Sequence, residues 1–242
     1  MKFKLEVIGF TIENCLAAKA AGASRIELCD NPSDGGTTPS YGFIKAARAL
    51  LTIELFVIIR PRGGDFLYTA AEFEIMKTDI FTCKKLGCDG VVFGILSADG
   101  SVDKIRCSQL AQVAYPMSVT FHRAFDRVAD ASRALEDVIE IGCERILTSG
   151  LVPYAPDGMA TIAALIKQAN ERIIIMPGSG VNAKNIEAIA KTTGASEFHT
   201  SARTLIKSGM QNNNPAMQQD LVSVGVDTEE IQKIIALLKN IK

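Results

Sequence analysis

The chain has almost no surplus of charge: 26 lysines and arginines face 27 aspartates and glutamates, for a net charge of −1 and a pI near 6.2. Bulk electrostatics therefore give no support for a nucleic-acid or membrane partner. Long apolar runs are missing as well. The longest clear one, Leu55–Ile59, falls far short of the ~20 residues that a bilayer requires. No CxxC pair occurs among the six cysteines, so neither a zinc site nor a redox site of that kind is expected. The opening Met1-Lys2-Phe3-Lys4-Leu5-Glu6 puts a carboxylate where a signal peptide would need its apolar segment. The expected setting is cytoplasmic, with the cysteines as reduced thiols. Histidine is scarce, with only His122 and His199 present, so where those two fall carries weight.

What is abundant is order. A short phrase occurs four times, as Gly22-Ala23-Ser24-Arg25-Ile26-Glu27, Gly87-Cys88-Asp89-Gly90-Val91-Val92, Gly142-Cys143-Glu144-Arg145-Ile146-Leu147 and Gly194-Ala195-Ser196-Glu197-Phe198-His199. Each copy reads as a helix ending at a left-handed glycine and feeding a short apolar strand. The copies start 65, 55 and 52 residues apart, room for two helix-and-strand units each. Further strand candidates are Phe3–Val7, Leu55–Ile59, Ser118–Phe121 and Ile173–Met176. Eight short strands alternating with helices predict a single (β/α)8 TIM-type barrel over residues 1–242. The length suits one such domain, and 48% apolar residues supply a large core.

Thr38-Pro39 reads as a threonine N-cap followed by proline, Asn182 as a cap ahead of Ile186, and Asp227-Thr228-Glu229-Glu230 as a capping box. Residues 208–226, polar and turn-prone around Gln211–Pro215, read as an irregular segment, either a floppy connection or a loop over the barrel mouth; a helix there is the one expected to be missing or irregular.

In this fold chemistry gathers where strands end and helices begin. Glu6 and Glu27 lie on neighbouring strands, where two carboxylates in a low-dielectric site act as acid and base or bind a cation. The alternative is a structural network with Arg25, Arg60 or Arg62. Arg60 and Arg62, two apart after a strand, suit bidentate binding of a carboxylate or phosphate. His122 and His199 end the fifth and eighth strands as candidate proton carriers or metal ligands. Gly178, Gly180 and Ser201, after strands seven and eight, have the small, donor-rich character of the phosphate site of such barrels, and Ser149 lies at its margin. Arg123 and Asp126 are read as loop braces. The expected mouth cluster is Glu6, Glu27, Arg60, Arg62, His122 and His199.

These phrases together resemble the CutC copper-homeostasis family. The resemblance rests on Arg25–Cys29, Gly35–Ser40, Ile59–Phe66, Val119–Asp126, Arg145–Gly150 and Glu197–His199, across about the first 200 residues. It implies a cytoplasmic barrel, homo-oligomeric with a dimer favoured, linked to copper tolerance and proposed to bind copper(I). Family members often carry a cysteine two residues after the strand-one glutamate, where this chain has Ile8, and some carry one after the strand-eight histidine, where it has Thr200. Copper(I) prefers thiolate or thioether ligands, and Cys29 is the remaining candidate thiol at the mouth. Two functions follow as expectations: a copper(I)-binding homeostasis protein, or an enzyme using the mouth for acid–base chemistry on a small anionic or phosphorylated metabolite.

Overall fold

The structure, a computed structural model, describes residues 3–212, 214–217 and 221–241. Along it run eight parallel strands: β1 Lys4–Gly9, β2 Arg25–Leu28, β3 Glu54–Ile58, β4 Gly90–Phe93, β5 Ser118–Phe121, β6 Arg145–Thr148, β7 Ile174–Pro177 and β8 Glu197–Thr200. Each of the first seven is followed by a helix: α1 Ile12–Ala20, α2 Tyr41–Leu50, α3 Ala70–Leu86, α4 Lys104–Ala114, α5 Ala131–Ile141, α6 Met159–Ala169 and α7 Ile186–Thr193. The helix α8, Thr228–Asn240, closes the chain, so the predicted TIM-type barrel is the observed fold. The repeated phrase does what its glycines require, since Gly22, Gly87, Gly142 and Gly194 all take positive φ, between 76° and 104°.

Hydrogen-bonded ladders link the strands in the order β7-β6-β5-β4-β3-β2-β1-β8. The remaining seam, between β7 and β8, has no ladder among the described residues, and Pro177 at the end of β7 has no N–H to offer there. Helix-facing positions such as Val7, Ile26, Leu55, Val91, Phe121, Ile146 and Phe198 are fully or nearly fully buried. Each such side chain contributes ~1.5–3 kcal/mol of burial energy.

Alternate residues point into the barrel, and there the core is polar. Register places Glu6 beside Arg25 on β2 and beside His199 on β8. Arg25, with no exposed surface, binds Glu6, Glu197 at 2.6 Å and Glu54 at 3.1 Å, while Arg145 donates to Glu197 at 2.7 Å. Both guanidinium groups lie over the Phe56 ring, at 4.7 and 5.3 Å from its centre. This network plugs the lower barrel and leaves the upper layer to form the mouth.

Three local readings change. The α2 cap is Ser40, not Thr38, because Thr38 is bonded to β3's continuation, its hydroxyl accepting from the Arg60 N–H at 2.9 Å. Asn182 organises a turn, and α7 begins at Ile186 after Asn185 with no side-chain cap. Asp227 caps α8, but Glu230 accepts from the Ala183 N–H at 2.6 Å, tying α8 to the loop after β7.

The segment 208–226, expected to be irregular, ends in a strand, β10 Val222–Val226, which pairs antiparallel with β9 Arg203–Lys207 just ahead of the segment. The helix expected to be lost is absent from none of the eight positions. The alternation Val222, Val224, Val226 was the signal for β10. Asn213 and residues 218–220 of the segment lie outside the described residues. The ribbon stands at the mouth, anchored where Asn14 Nδ2 of α1 donates to the Val224 carbonyl at 2.9 Å, and all of β9 is exposed. Among the described residues no helix is long and apolar enough to cross a membrane.

Candidate functional site

The upper layer opens into a cavity of about 340 Å³ walled by Glu27, Arg60, His122, His199, Gly180 and Ser201 from the sequence-derived set. Ile8, Phe66, Arg123, Leu147, Ser179 and Arg203 join them. Strand order sets the geometry. β5, carrying His122 at its end, stands three strands from β2 and three from β8, so His122 faces Glu27 and His199 across the mouth.

On the β2–β8 side, His199 Nδ1 lies 2.8 Å from Glu6 Oε1 and 3.7 Å from Glu27 Oε2. Burial alone would raise the Glu6 carboxyl, but the Arg25 charge and the His199 bond overcome it and hold it well below the usual carboxylate range. Glu6 therefore stays ionised and only accepts, so Nδ1 donates to it. Burial works against the His199 charge, yet the Glu6 bond and the two carboxylates raise its pKa. Glu27 has no arginine partner within ion-pair distance among the described residues. Burial pushes it up to about 7, with the Glu6 charge adding and the His199 charge opposing. Donor atoms of Glu6, Glu27 and His199 lie within 4.8 Å of one another, but both Glu6 oxygens are already engaged, by Arg25 and His199.

The opposite wall holds unused donors. Ala124 N–H donates to His122 Nδ1 at 3.2 Å, so this nitrogen carries the lone pair and Nε2 carries the hydrogen. Burial first, and then the Arg60 charge, depress His122 to about 3, which keeps the ring neutral. Gly94 makes room for it, since a Cβ there would stand 2.7 Å from His122 Nδ1. Arg60, 6% exposed, donates to the carbonyls of Asp34 at 2.6 Å, Gly36 at 2.9 Å and Gly64 at 2.9 Å, and stacks on Phe66. No carboxylate lies within ion-pair distance of it among the described residues. Among the described residues three buried side-chain atoms there lack a hydrogen bond of good geometry, Arg60 Nε, the Tyr68 hydroxyl and His122 Nε2, and the first and second belong to side chains that interact with each other. Arg60 and His122 are residues of this cavity wall.

The remaining sequence-derived residues sit elsewhere. Glu6 lies just beneath the cavity in the Arg25 network. Arg62 is not on the wall. The ladder ends near Ile59 and Pro61 opens a turn, so two-residue alternation lapses, and Glu72 at 2.6 Å and Asp65 at 2.9 Å draw the guanidinium outward over Tyr68. Ser149, fully buried, is held by Asp126 and Arg123 at 2.9 Å each, so it braces the loop after β6. Gly178 lies behind the wall, where a Cβ would strike Leu147 and approach His199. Cys29 is buried in a small cluster with Ile8 and Ile58. Sequence reasoning missed Arg203, which follows His199 and Ser201 in the same alternation and has no carboxylate partner among the described residues.

A (β/α)8 barrel whose mouth pairs carboxylates with a histidine and sets unpartnered donors opposite them is the class that fold and site define. The chain belongs to the CutC family, whose pattern matches residues 3–204. A CutC family protein of Chromobacterium violaceum is 53% identical over 207 residues, covering 86% of this chain and 84% of that protein. The human copper homeostasis protein cutC homolog is 45% identical, covering 99% and 90%. The crystal structure of a CutC protein from Streptococcus agalactiae superposes with a TM-score of 0.79 at 36% identity, covering 82% of this chain and 98% of that one.

Proposed function

We propose that the mouth binds a small anionic metabolite and performs acid–base chemistry on it. The observation that carries this reading is Arg60, a buried cation bonded to three backbone carbonyls and without a carboxylate partner among the described residues. A guanidinium neutralising a structural carboxylate would have that carboxylate beside it, as Arg25 has Glu6. Arg203 adds a second cation without a carboxylate partner among the described residues, and Glu27 with His199 supplies the proton-transfer pair. Six free, buried cysteines suit a reducing compartment, hence a cytoplasmic protein. Leu205, Ile206 and Val222 on the ribbon are exposed apolar residues that support the homo-oligomer, which light scattering checks.

The residues do not fit copper(I), the ion that the relatives' names bring to mind. Cys29 is the thiol nearest the mouth, and burial followed by the Glu27 and Glu6 charges holds it well above its ordinary pKa, against the thiolate a copper site needs. Ile8 offers no sulfur, and Thr200 is turned to the seam, its hydroxyl donating to the Val181 carbonyl at 2.7 Å. The Glu6, Glu27 and His199 donors are oxygen and nitrogen. Competition with a copper(I) chelator should show weak binding, and a tight site abolished by Cys29→Ala would restore the copper reading.

The anion reading is tested by a thermal-shift screen with inorganic phosphate, sulfate and phosphorylated or carboxylated metabolites. A ligand at 100 times its Kd should stabilise by ~2.7 kcal/mol. The shift should vanish in Arg60→Ala and persist in Arg62→Ala. A parent protein that responds to none of these anions would refute the reading.

A further inference from the structure

Resting on the anion-site reading, we propose that the mouth enolises a small carbonyl compound with an anionic tail: Glu27 moves a proton at the carbon next to the carbonyl, and His122 Nε2 holds the oxygen beside the Arg60 charge. Such a reaction needs a base on one side of the substrate and hydrogen-bond donors, without a competing acceptor, on the other. The strand order supplies this opposition, with Glu27 on β2 and His199 on β8 facing His122 after β5. The donor is specific in form. The Ala124 N–H on Nδ1 leaves the hydrogen on Nε2, which has no hydrogen-bond partner among the described residues although His122 is more than nine-tenths buried. An orphaned donor on a residue of the cavity wall, beside the Arg60 charge, is poorly explained by stability and well explained by an oxygen whose negative charge grows during reaction.

A neutral imidazole is the right donor here. Its pKa is closer to that of an enol than an imidazolium's is, so it stabilises the enolate without protonating the base opposite. In the step, the Glu27 carboxylate accepts the proton, the C–H electron pair becomes the carbon–carbon double bond, and the carbonyl pair moves onto oxygen. Glu27 then returns its proton to the same carbon, which regenerates the carbonyl compound. Where the carbon that lost the proton carries a hydroxyl, that hydroxyl's proton passes to the enolate oxygen and Glu27 protonates the former carbonyl carbon, giving the isomer with no co-reactant. His199, clamped by Glu6, stands beside Glu27 to favour the carboxylate form when substrate enters. The tail meets Arg203, Ser201 and Gly180 along the β7–β8 seam.

Proton NMR in deuterium oxide tests this with dihydroxyacetone phosphate, glyceraldehyde 3-phosphate, pyruvate and oxaloacetate as probes, each also run in the thermal-shift assay. At least one probe that binds should exchange the C–H next to its carbonyl faster with the protein than in buffer. Glu27→Gln and His122→Phe should each slow that exchange by about 100-fold while the thermal shift is retained. Binding without exchange would overturn the enolisation and leave the anion site standing. Exchange undiminished in Glu27→Gln would overturn the assigned base, and undiminished in His122→Phe the assigned donor. Neither binding nor exchange would overturn both readings together.

Discussion

Replacing Glu27 by glutamine should make the protein more stable at pH 8 and leave it nearly unchanged at pH 4. Glu27 is 3% exposed and lacks an arginine partner among the described residues, so its ionisation is opposed chiefly by burial. The gap between its ordinary 4.5 and about 7 in the fold converts, at ~1.4 kcal/mol per decade, to ~3 kcal/mol held against the native state once the group is ionised. The folded state keeps its proton to higher pH than the unfolded chain, so this contribution is lost as pH rises from about 4.5 to about 7 and is level above. The groups facing Glu27 are His199, Glu6, Arg25 and the Cys29 thiol. The Glu27 charge is among the causes that raise the His199 pKa, so removing it trims the gain below that figure. Urea unfolding of parent and variant at fixed ionic strength, from pH 4 to 8, reads the difference. A variant less stable than the parent at pH 8, or a difference that does not grow across the window, would refute the account of Glu27 as a carboxylate held at a cost for chemistry.

Arg25→Ala should be severely destabilising, by ~3–5 kcal/mol in chemical denaturation, because Glu6 and Glu197 are left as buried charges; a loss below ~1 kcal/mol would show the network to be dispensable. Gly94→Ala should push the His122 ring from its place, costing ~1–3 kcal/mol and weakening anion binding, with the displacement read from His122 ring resonances. Arg62→Ala should move the unfolding midpoint only a little, because its ion pairs with Asp65 and Glu72 are partly open to solvent, and should leave anion binding intact. If Arg62→Ala removed binding as completely as Arg60→Ala, the placement of Arg62 outside the mouth would be wrong.

The barrel was legible because its signal is local. A glycine that must take positive φ, followed by an apolar strand, records helix end and strand start within six residues, and Gly22, Gly87, Gly142 and Gly194 all behave so. Residues within a strand or one step past it were placed by two-residue alternation, which is why Glu27, His122, His199 and Ser201 reach the cavity as expected. Arg62 failed because alternation has no meaning beyond the ladder, where Pro61 begins a turn. Ser149 was drawn away by Asp126, a partner 23 positions earlier.

The sequence by itself thus determined the eightfold alternation, the strand ends and the identity of the polar side chains gathered there, since each depends on backbone preferences a few residues long. Tertiary structure alone decided which carboxylate is free. Glu6 and Glu27 look alike in the chain, yet register sets Glu6 between Arg25 and His199 and leaves Glu27 facing the cavity without a guanidinium. It likewise decided that Arg60 binds carbonyls instead of a carboxylate, and that the Nε2 of His122, a residue of the cavity wall, has no partner among the described residues. Charge and hydrogen-bond partners are set by distances between strands far apart in sequence, and burial makes those distances decisive by removing the water that would otherwise screen them.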